Sequence, residues 1–177
     1  MTDFVALRRT MVDTQLRTNK VTDDRVLSTM GDIARENFVP AERADMSYID
    51  EDLQTATGRY LVEPMVFARL VQAAEIRPED DVLDIACGAG YSSAVLGRLA
   101  RSVVAVEADA GVATMAASNL SDAGIDNVVL EKGPVVEGWA QQAPYDVILI
   151  NGAVQTIPQA LLDQLAEGGR LCAEIGR

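Results

Sequence analysis

The sequence predicts an α/β fold, a doubly wound and mostly parallel sheet covered by helices, with a helical extension at its N-terminus. From residue 64 onward, short apolar segments alternate with segments whose apolar residues recur at helical spacing. The apolar segments, such as Val82–Ala86 and Tyr145–Ile150, are nearly continuous. Strands buried on both faces have this composition, and repeated strand–helix units with right-handed crossovers build a parallel sheet. Residues 1–60 are more polar, so we expect an N-terminal extension packed on a core of residues 61–177.

The extension is predicted to be helical first and irregular later. An apolar stripe at a loose helical spacing begins at Phe4, and Asp23 or Asp24 can cap a second, short helix. Pro40 should end the local helical structure, because the residue before a proline disfavours the helical conformation. The stretch from Ser47 to Tyr60 is rich in charge and has no clear period, which favours a solvated loop.

In the core, the ends of the predicted elements are marked by proline, aspartate and glycine. Pro64 suits the first position of a helix, Asp109 can cap another, and Gly124 can end it. A last helix is expected from Pro158 to the glycine pair Gly168–Gly169. The predicted strands are 82–86, 103–106, 127–130, 145–150 and 170–175. One helix begins near residue 64, before the first strand, and the others begin near residues 91, 109 and 158, between strands.

Composition restricts the classes of function. The 15 basic and 27 acidic residues give a net charge of −12, which argues against broad binding to nucleic acid or to an anionic membrane. The sequence has no histidine, so Ser-His-Asp catalysis and histidine-ligated metals are excluded. Its two cysteines, Cys87 and Cys172, cannot complete a four-cysteine zinc site, and we expect no metal. No signal peptide or long apolar run is visible, which predicts a cytoplasmic location.

The segment from Asp84 to Tyr91 carries the strongest functional signal. It lies between a predicted strand and a helix, where Gly88 and Gly90 permit a tight turn and the close approach of a ligand to the backbone. A dinucleotide-binding turn would have a third glycine at Ser93, so a nicotinamide-dependent reductase is disfavoured. On its own, such a turn also fits a purely structural role.

Glu107, at the end of the second core strand, strengthens the functional interpretation. An acidic residue near this spacing can accept hydrogen bonds from both ribose hydroxyls of a nucleoside, although a solvated charge at a strand end is the alternative. Cys87, within the turn, is either a small buried filler or a thiol activated by the helix N-terminus.

The turn together with Glu107 resembles motifs I and II of class I S-adenosylmethionine-dependent methyltransferases. Within that class, the chain resembles the protein-L-isoaspartate O-methyltransferase family over almost its whole length. The segments that carry the resemblance, besides the turn, are 11–17, 25–27, 35–40, 48–50, 143–146 and 168–171.

The resemblance implies a Rossmann-like methyltransferase fold, S-adenosylmethionine as the cofactor, and methyl transfer to an isoaspartyl carboxylate of a protein or peptide, a reaction of protein repair. It places the methionine part of the cofactor at the turn, the ribose at Glu107, and the adenine beside Gly133 and Pro134. The turn residues concerned are Asp84, Ala86, Cys87, Gly88 and Gly90. The family's acceptor segment corresponds to Gly58–Pro64, with Arg59, Tyr60 and Val62 as candidate substrate-binding residues.

This chain departs from the family pattern at three places. Ala86 stands where the family has the first glycine of motif I, and Pro134 stands where it has an acidic residue. In the acceptor segment the family's threonine and serine are Tyr60 and Val62, and valine cannot donate a hydrogen bond. A lost hydrogen bond to a buried anion costs roughly 1.5–3 kcal/mol, which predicts weaker or altered acceptor binding. Arg59 either supplies replacement charge or simply meets solvent.

Two further expectations follow. A degenerate S-adenosylmethionine-binding or interaction protein without isoaspartyl activity is the alternative function. Enzymes of this class continue with further strands, so either the sequence is truncated at its C-terminus or the sheet ends early. An exposed edge on the fifth strand predicts a homodimer across that edge, aggregation, or cover by the N-terminal extension.

Overall fold

The N-terminal extension is helical in the computed structural model, which describes residues 2–176. Helix α1 spans Phe4–Met11 and continues through a π-helical turn and a 3-10 turn to Asn19, and α2 spans Asp24–Asp32. Asp23 caps α2, because its carboxylate accepts hydrogen bonds from two backbone N–H groups of the first turn. Two 3-10 turns, Arg35–Phe38 and Ala41–Met46, follow, so Pro40 interrupts the helical structure without ending it.

A β-hairpin occupies the region where the sequence predicted a loop. Strand β1, Leu53–Ala56, pairs antiparallel with β2, Arg59–Leu61, and Gly58 turns the chain with a φ of +67°. Leu53 and Leu61 face each other in the pairing and are both buried. The loop prediction is wrong because each strand is only three or four residues long, too short for an alternating pattern to stand out among the charges.

The core alternates helices and strands in the predicted order. The helices are α3 Pro64–Ala73, α4 Tyr91–Leu99, α5 Ala110–Asp122 and α6 Gln159–Leu162. The strands are β3 Asp81–Ile85, β4 Ser102–Glu107, β5 Val128–Lys132, β6 Tyr145–Val154 and β7 Leu165–Ile175. They form one sheet in the order β5-β4-β3-β6-β7, with every neighbouring pair parallel. The doubly wound α/β fold is therefore confirmed, with β3 at the centre and the strand order reversing beside it.

The last helix is shorter and the last strand longer than predicted. Helix α6 ends at Leu162, and β7 already begins at Leu165, so the glycine pair Gly168–Gly169 lies inside the strand. A Cβ atom on Gly169 would stand 3.1 Å from the backbone oxygen of Tyr145, at the irregularity in the β6–β7 pairing. Gly169 therefore permits two backbones to pass closely, and the glycine pair does not cap a helix.

The extension and one face of the sheet share a single hydrophobic cluster. Leu16, Met30 and Phe38 belong to it together with Phe67 of α3 and Tyr91 of α4. The ring of Phe38 meets that of Tyr91 edge-on, with 5.5 Å between centroids. A second cluster lies on the opposite face, because successive residues of β3 and β4 point to opposite sides. The start of the α4 helix is thus fixed from the extension as well as from the core.

Within residues 2–176, β7 is an outer strand of the sheet, and Ile175 near its end is 62% exposed. The predicted homodimer through this edge stays a prediction. Among the helices that the structure describes, none has both the length and the apolar character needed to cross a membrane.

Candidate functional site

The turn between β3 and α4 is built from left-handed backbone. Ala86, Gly88 and Gly90 have φ values of +59°, +55° and +95°. A Cβ on Gly90 would lie 3.3 Å from the backbone oxygen of Ala116, so glycine there allows α5 to pack against the turn. Gly88 is buried, but a Cβ on it would meet no other described residue within 4 Å, so there is space beside its backbone. The left-handed conformation of a non-glycine residue costs roughly 1–2 kcal/mol, and Ala86 bears that cost.

Asp84, at the end of β3, is fully buried and bonded within the protein. Its Oδ2 accepts hydrogen bonds from the hydroxyls of Ser92 at 2.7 Å and Ser93 at 2.6 Å, and its Oδ1 accepts one from the side-chain amide of Asn151. Burial raises the pKa of Asp84 to about 6, while these three hydrogen bonds act in the opposite direction. Its carboxylate therefore orients side chains around the turn, and direct contact with a cofactor stays a prediction.

Glu107, at the end of β4, is the most heavily bonded acid of the site. It is fully buried, and it accepts hydrogen bonds from the backbone N–H groups of Gly88 at 3.2 Å and Asp109 at 3.0 Å. The guanidinium of Arg59 binds both of its oxygens, with Nη2 2.6 Å from Oε1 and Nε 3.1 Å from Oε2. Although burial disfavours the charged form, Arg59 and the two backbone donors hold the pKa of Glu107 below its usual range. The carboxylate is thus ionised at neutral pH.

The hairpin covers the carboxyl ends of β3 and β6. Between them lies a cavity of about 20 Å³, room for roughly one water molecule, lined by polar groups of Thr55, Ser92 and Asn151 and by apolar atoms of Val62 and Phe67. Of the predicted acceptor residues, Val62 and Tyr60 line this cavity, with Tyr60 56% exposed overall. Arg59 turns to Glu107 instead.

Arg35 fixes the backbone of the acceptor segment. Its side chain is buried, and it donates hydrogen bonds to the backbone oxygens of Ser47, at 2.6 Å, and Val62. Its guanidinium carbon lies 4.9 Å from the ring centroid of Tyr91, so the cation also stacks on an aromatic face at the start of α4. Arg35 therefore fixes the chain at Val62, between the hairpin and the start of α3.

Cys87 is a buried filler and not an activated thiol. Burial, with a further contribution from the charges of Asp84 and Glu107, raises the pKa of its thiol. In the turn after β5, the backbone N–H of Gly133 donates to the backbone oxygen of Glu107 at 3.2 Å, and Pro134 is exposed. A Cβ on Gly133 would lie 3.3 Å from the indole of Trp139, which packs against that turn. The adenine role of Gly133 and Pro134 stays a prediction.

Sequence reasoning missed four polar side chains of the site. Asn151 had a usable signal, because it directly follows an apolar segment, and the carboxyl ends of neighbouring parallel strands meet at one edge. Ser92 and Ser93 sit in the first turn after the glycines, within reach of the preceding strand. Arg35 had no such signal, because a buried arginine cannot be told from a surface one by spacing.

These residues fit an adenosyl cofactor. A buried, ionised carboxylate follows the second core strand, a glycine turn precedes α4, and both lie where the strand order reverses, the usual ligand edge of such sheets. Carboxylate oxygens suit the two hydroxyl donors of a ribose. The fold and the site together define a class I S-adenosylmethionine-dependent methyltransferase. The sequence model of the protein-L-isoaspartate(D-aspartate) O-methyltransferase family matches residues 7–177, and the chain belongs to that family.

Individual relatives agree with this assignment. The protein-L-isoaspartate O-methyltransferase of Koribacter versatilis is 42% identical over 176 residues, covering 99% of this chain and 79% of the relative. That of a Synechococcus strain is 40% identical, covering 98% and 71%. A solved protein-L-isoaspartate O-methyltransferase superposes with a TM-score of 0.80 at 27% identity, covering 93% of this chain and 54% of the other.

A Plasmodium falciparum protein in complex with S-adenosyl-L-homocysteine has a TM-score of 0.81 at 18% identity, covering 100% of this chain and 86% of the other, which supports the fold. The predicted methyltransferase fold, cofactor class and family are confirmed.

Proposed function

We propose that the protein transfers a methyl group from S-adenosylmethionine to the carboxylate of an isoaspartyl residue in a protein or peptide. The observation that carries the cofactor half is Glu107, a buried and ionised carboxylate beside a glycine turn at the ligand edge of the sheet. Membership of the family supports the isoaspartyl acceptor.

The cofactor would lie across the carboxyl ends of the strands. Glu107 would accept hydrogen bonds from the ribose hydroxyls, and the space beside Gly88 would let the methionine part lie close to the backbone. Gly133 and Pro134 would flank the adenine. When bound, the cofactor supplies a methyl group activated by its sulfonium.

The proposed reaction requires little proton transfer by the side chains of this protein. A carboxyl group with a reference pKa of about 3.9 is already ionised at pH 7, so the acceptor needs no general base. What the protein must supply is orientation and exclusion of water, and positioning alone can contribute roughly 7–11 kcal/mol. A sequence without histidine is compatible with this reaction.

The acceptor segment is where this chain departs from its family. Tyr60 retains a hydroxyl that can donate a hydrogen bond, whereas Val62 presents an apolar side chain to the cavity. Arg59, on the same strand, is the candidate cation for the acceptor carboxylate. We therefore expect isoaspartyl methylation with a raised KM for the peptide.

Val62 also favours a second candidate, a cofactor-binding protein that no longer methylates isoaspartyl groups. Calorimetric titration with S-adenosylmethionine, S-adenosylhomocysteine and NAD, followed by labelled methyl transfer to an isoaspartyl peptide, separates the two. The same peptide with ordinary aspartate is the control. Labelling of the isoaspartyl peptide alone supports the proposed function, whereas binding of the adenosyl ligands without labelling favours the second candidate. Binding of NAD alone would contradict both.

We also propose that the protein is cytoplasmic and that it forms a homodimer through the edge of β7. Size-exclusion chromatography with light scattering tests the dimer. A monomer at all concentrations would contradict it.

A further inference from the structure

The β1–β2 hairpin reaches Glu107 through a single side chain. Arg59, 48 residues before Glu107 in the chain, places Nη2 2.6 Å from Oε1 and Nε 3.0 Å from the same oxygen and 3.1 Å from Oε2. Its Nη1 donates to the backbone oxygen of Gly58 at 3.1 Å, so the guanidinium is held between the hairpin tip and the acid. The side chain remains 28% exposed, which leaves it a path to solvent.

Glu107 has no spare capacity in this arrangement. Besides the guanidinium, it accepts from the backbone N–H groups of Gly88 and Asp109, which belong to the fixed turn and to the cap of α5. A carboxylate offers about four lone-pair sites, and these are already used. Two ribose hydroxyls can therefore bind Glu107 only if Arg59 leaves it.

The hairpin is fixed at its base and weakly held at its tip. Leu53 and Leu61 are buried in the core, and the carbonyl of Val62 is fixed by Arg35. At the tip, Gly58 is exposed, and the hydroxyl of Thr55 donates to the Arg59 backbone oxygen at a long 3.3 Å. A two-stranded hairpin is marginally stable by itself, so the ion pair is the main attachment of the tip.

We propose that Arg59 is a releasable latch: it holds the hairpin tip on Glu107, and the cofactor's ribose displaces it by taking the same carboxylate. Cofactor binding and release of the hairpin tip are then one exchange. The inference rests on the proposed role of Glu107 as the ribose carboxylate. The freed guanidinium stays on the strand that carries Tyr60, next to the segment that meets the acceptor. Arg59 thus pairs with Glu107 before the cofactor binds and with the acceptor carboxylate afterwards.

The test uses Arg59→Gln, with Arg59→Lys as the charge-retaining variant. Arg101→Gln is the matched control, because Arg101 also forms an ion pair with a carboxylate, that of Asp81, but at the opposite end of the strands. Calorimetry measures S-adenosylhomocysteine binding, and hydrogen exchange measures the backbone amides of residues 53–61. We expect Arg59→Gln to bind S-adenosylhomocysteine several-fold to tenfold more tightly, with Arg59→Lys in between. The hairpin amides should exchange faster in Arg59→Gln than in the wild type, and their exchange rates should be unchanged in Arg101→Gln.

The outcomes separate this inference from the proposed function. Unchanged or weaker S-adenosylhomocysteine binding in a folded Arg59→Gln, with the wild type binding normally, overturns the latch alone. Tighter binding without methylation of an isoaspartyl peptide by the wild type retains the latch and overturns the proposed acceptor. If the wild type binds no S-adenosylhomocysteine, both proposals fail. A raised KM for the peptide in Arg59→Gln supports the second role of the arginine, and an unchanged KM overturns that role.

Discussion

Replacing Ala86 with glycine should stabilise the protein, although it removes a methyl group beside the core. Ala86 adopts a φ of +59°, and relief of left-handed strain is worth roughly 1–2 kcal/mol. Against this, the greater freedom of glycine in the unfolded chain costs about 0.5–1 kcal/mol. Loss of a half-buried methyl costs about 0.4 kcal/mol, half the value for a buried carbon. With the middle of each range, the net expectation is about 0.4 kcal/mol of stabilisation, or a rise in Tm of about 1 °C for a chain of this size.

Ala89, three residues further along the same turn, gives the matched control. It is buried and has no positive φ, so Ala89→Gly relieves no strain and loses both the methyl and the entropy term. It should cost about 1.5 kcal/mol, which separates the two variants by about 2 kcal/mol. Urea denaturation monitored by circular dichroism resolves that difference. Equal destabilisation of both variants would refute the strain assigned to Ala86.

Three further predictions test the acids and the buried arginine. Glu107→Ala should weaken S-adenosylhomocysteine binding by several-fold to a hundredfold, as for loss of a charged hydrogen bond; unchanged calorimetric affinity would contradict the ribose role. Because burial raises the pKa of Asp84 to about 6, the folded state holds its proton more tightly, and this group's contribution to the free energy of unfolding should fall by about 2–3 kcal/mol between about pH 4 and pH 6. In Asp84→Asn the decrease measured by denaturation should disappear, and an identical pH profile would show the assignment to be wrong. Arg35→Lys should lose about 3 kcal/mol of stability, because lysine cannot span the carbonyls of Ser47 and Val62; a neutral result in thermal denaturation would argue against that bridging.

Much of the fold could be predicted because its signals are local. Short, nearly continuous apolar runs marked the core strands, and the caps Asp23 and Asp109 lie where short-range hydrogen bonding requires them. The glycine turn and Glu107 were found because a fixed spacing along one strand–helix–strand unit brings them to one edge of the sheet. The hairpin could not be predicted in this way, because its strands are too short to show an alternating apolar pattern and its stability depends on contacts with distant residues.

The sequence by itself determined the parallel α/β core, the glycine turn, the carboxylate at the end of β4 and the resemblance to the isoaspartyl methyltransferase family. Only the tertiary structure decided the partners of the charged groups. Arg59 meets Glu107 across 48 residues, and Asn151 meets Asp84 across 67. Local patterns follow from the geometry of one element, whereas such pairs depend on the path of the whole chain and on which buried charge has no better partner.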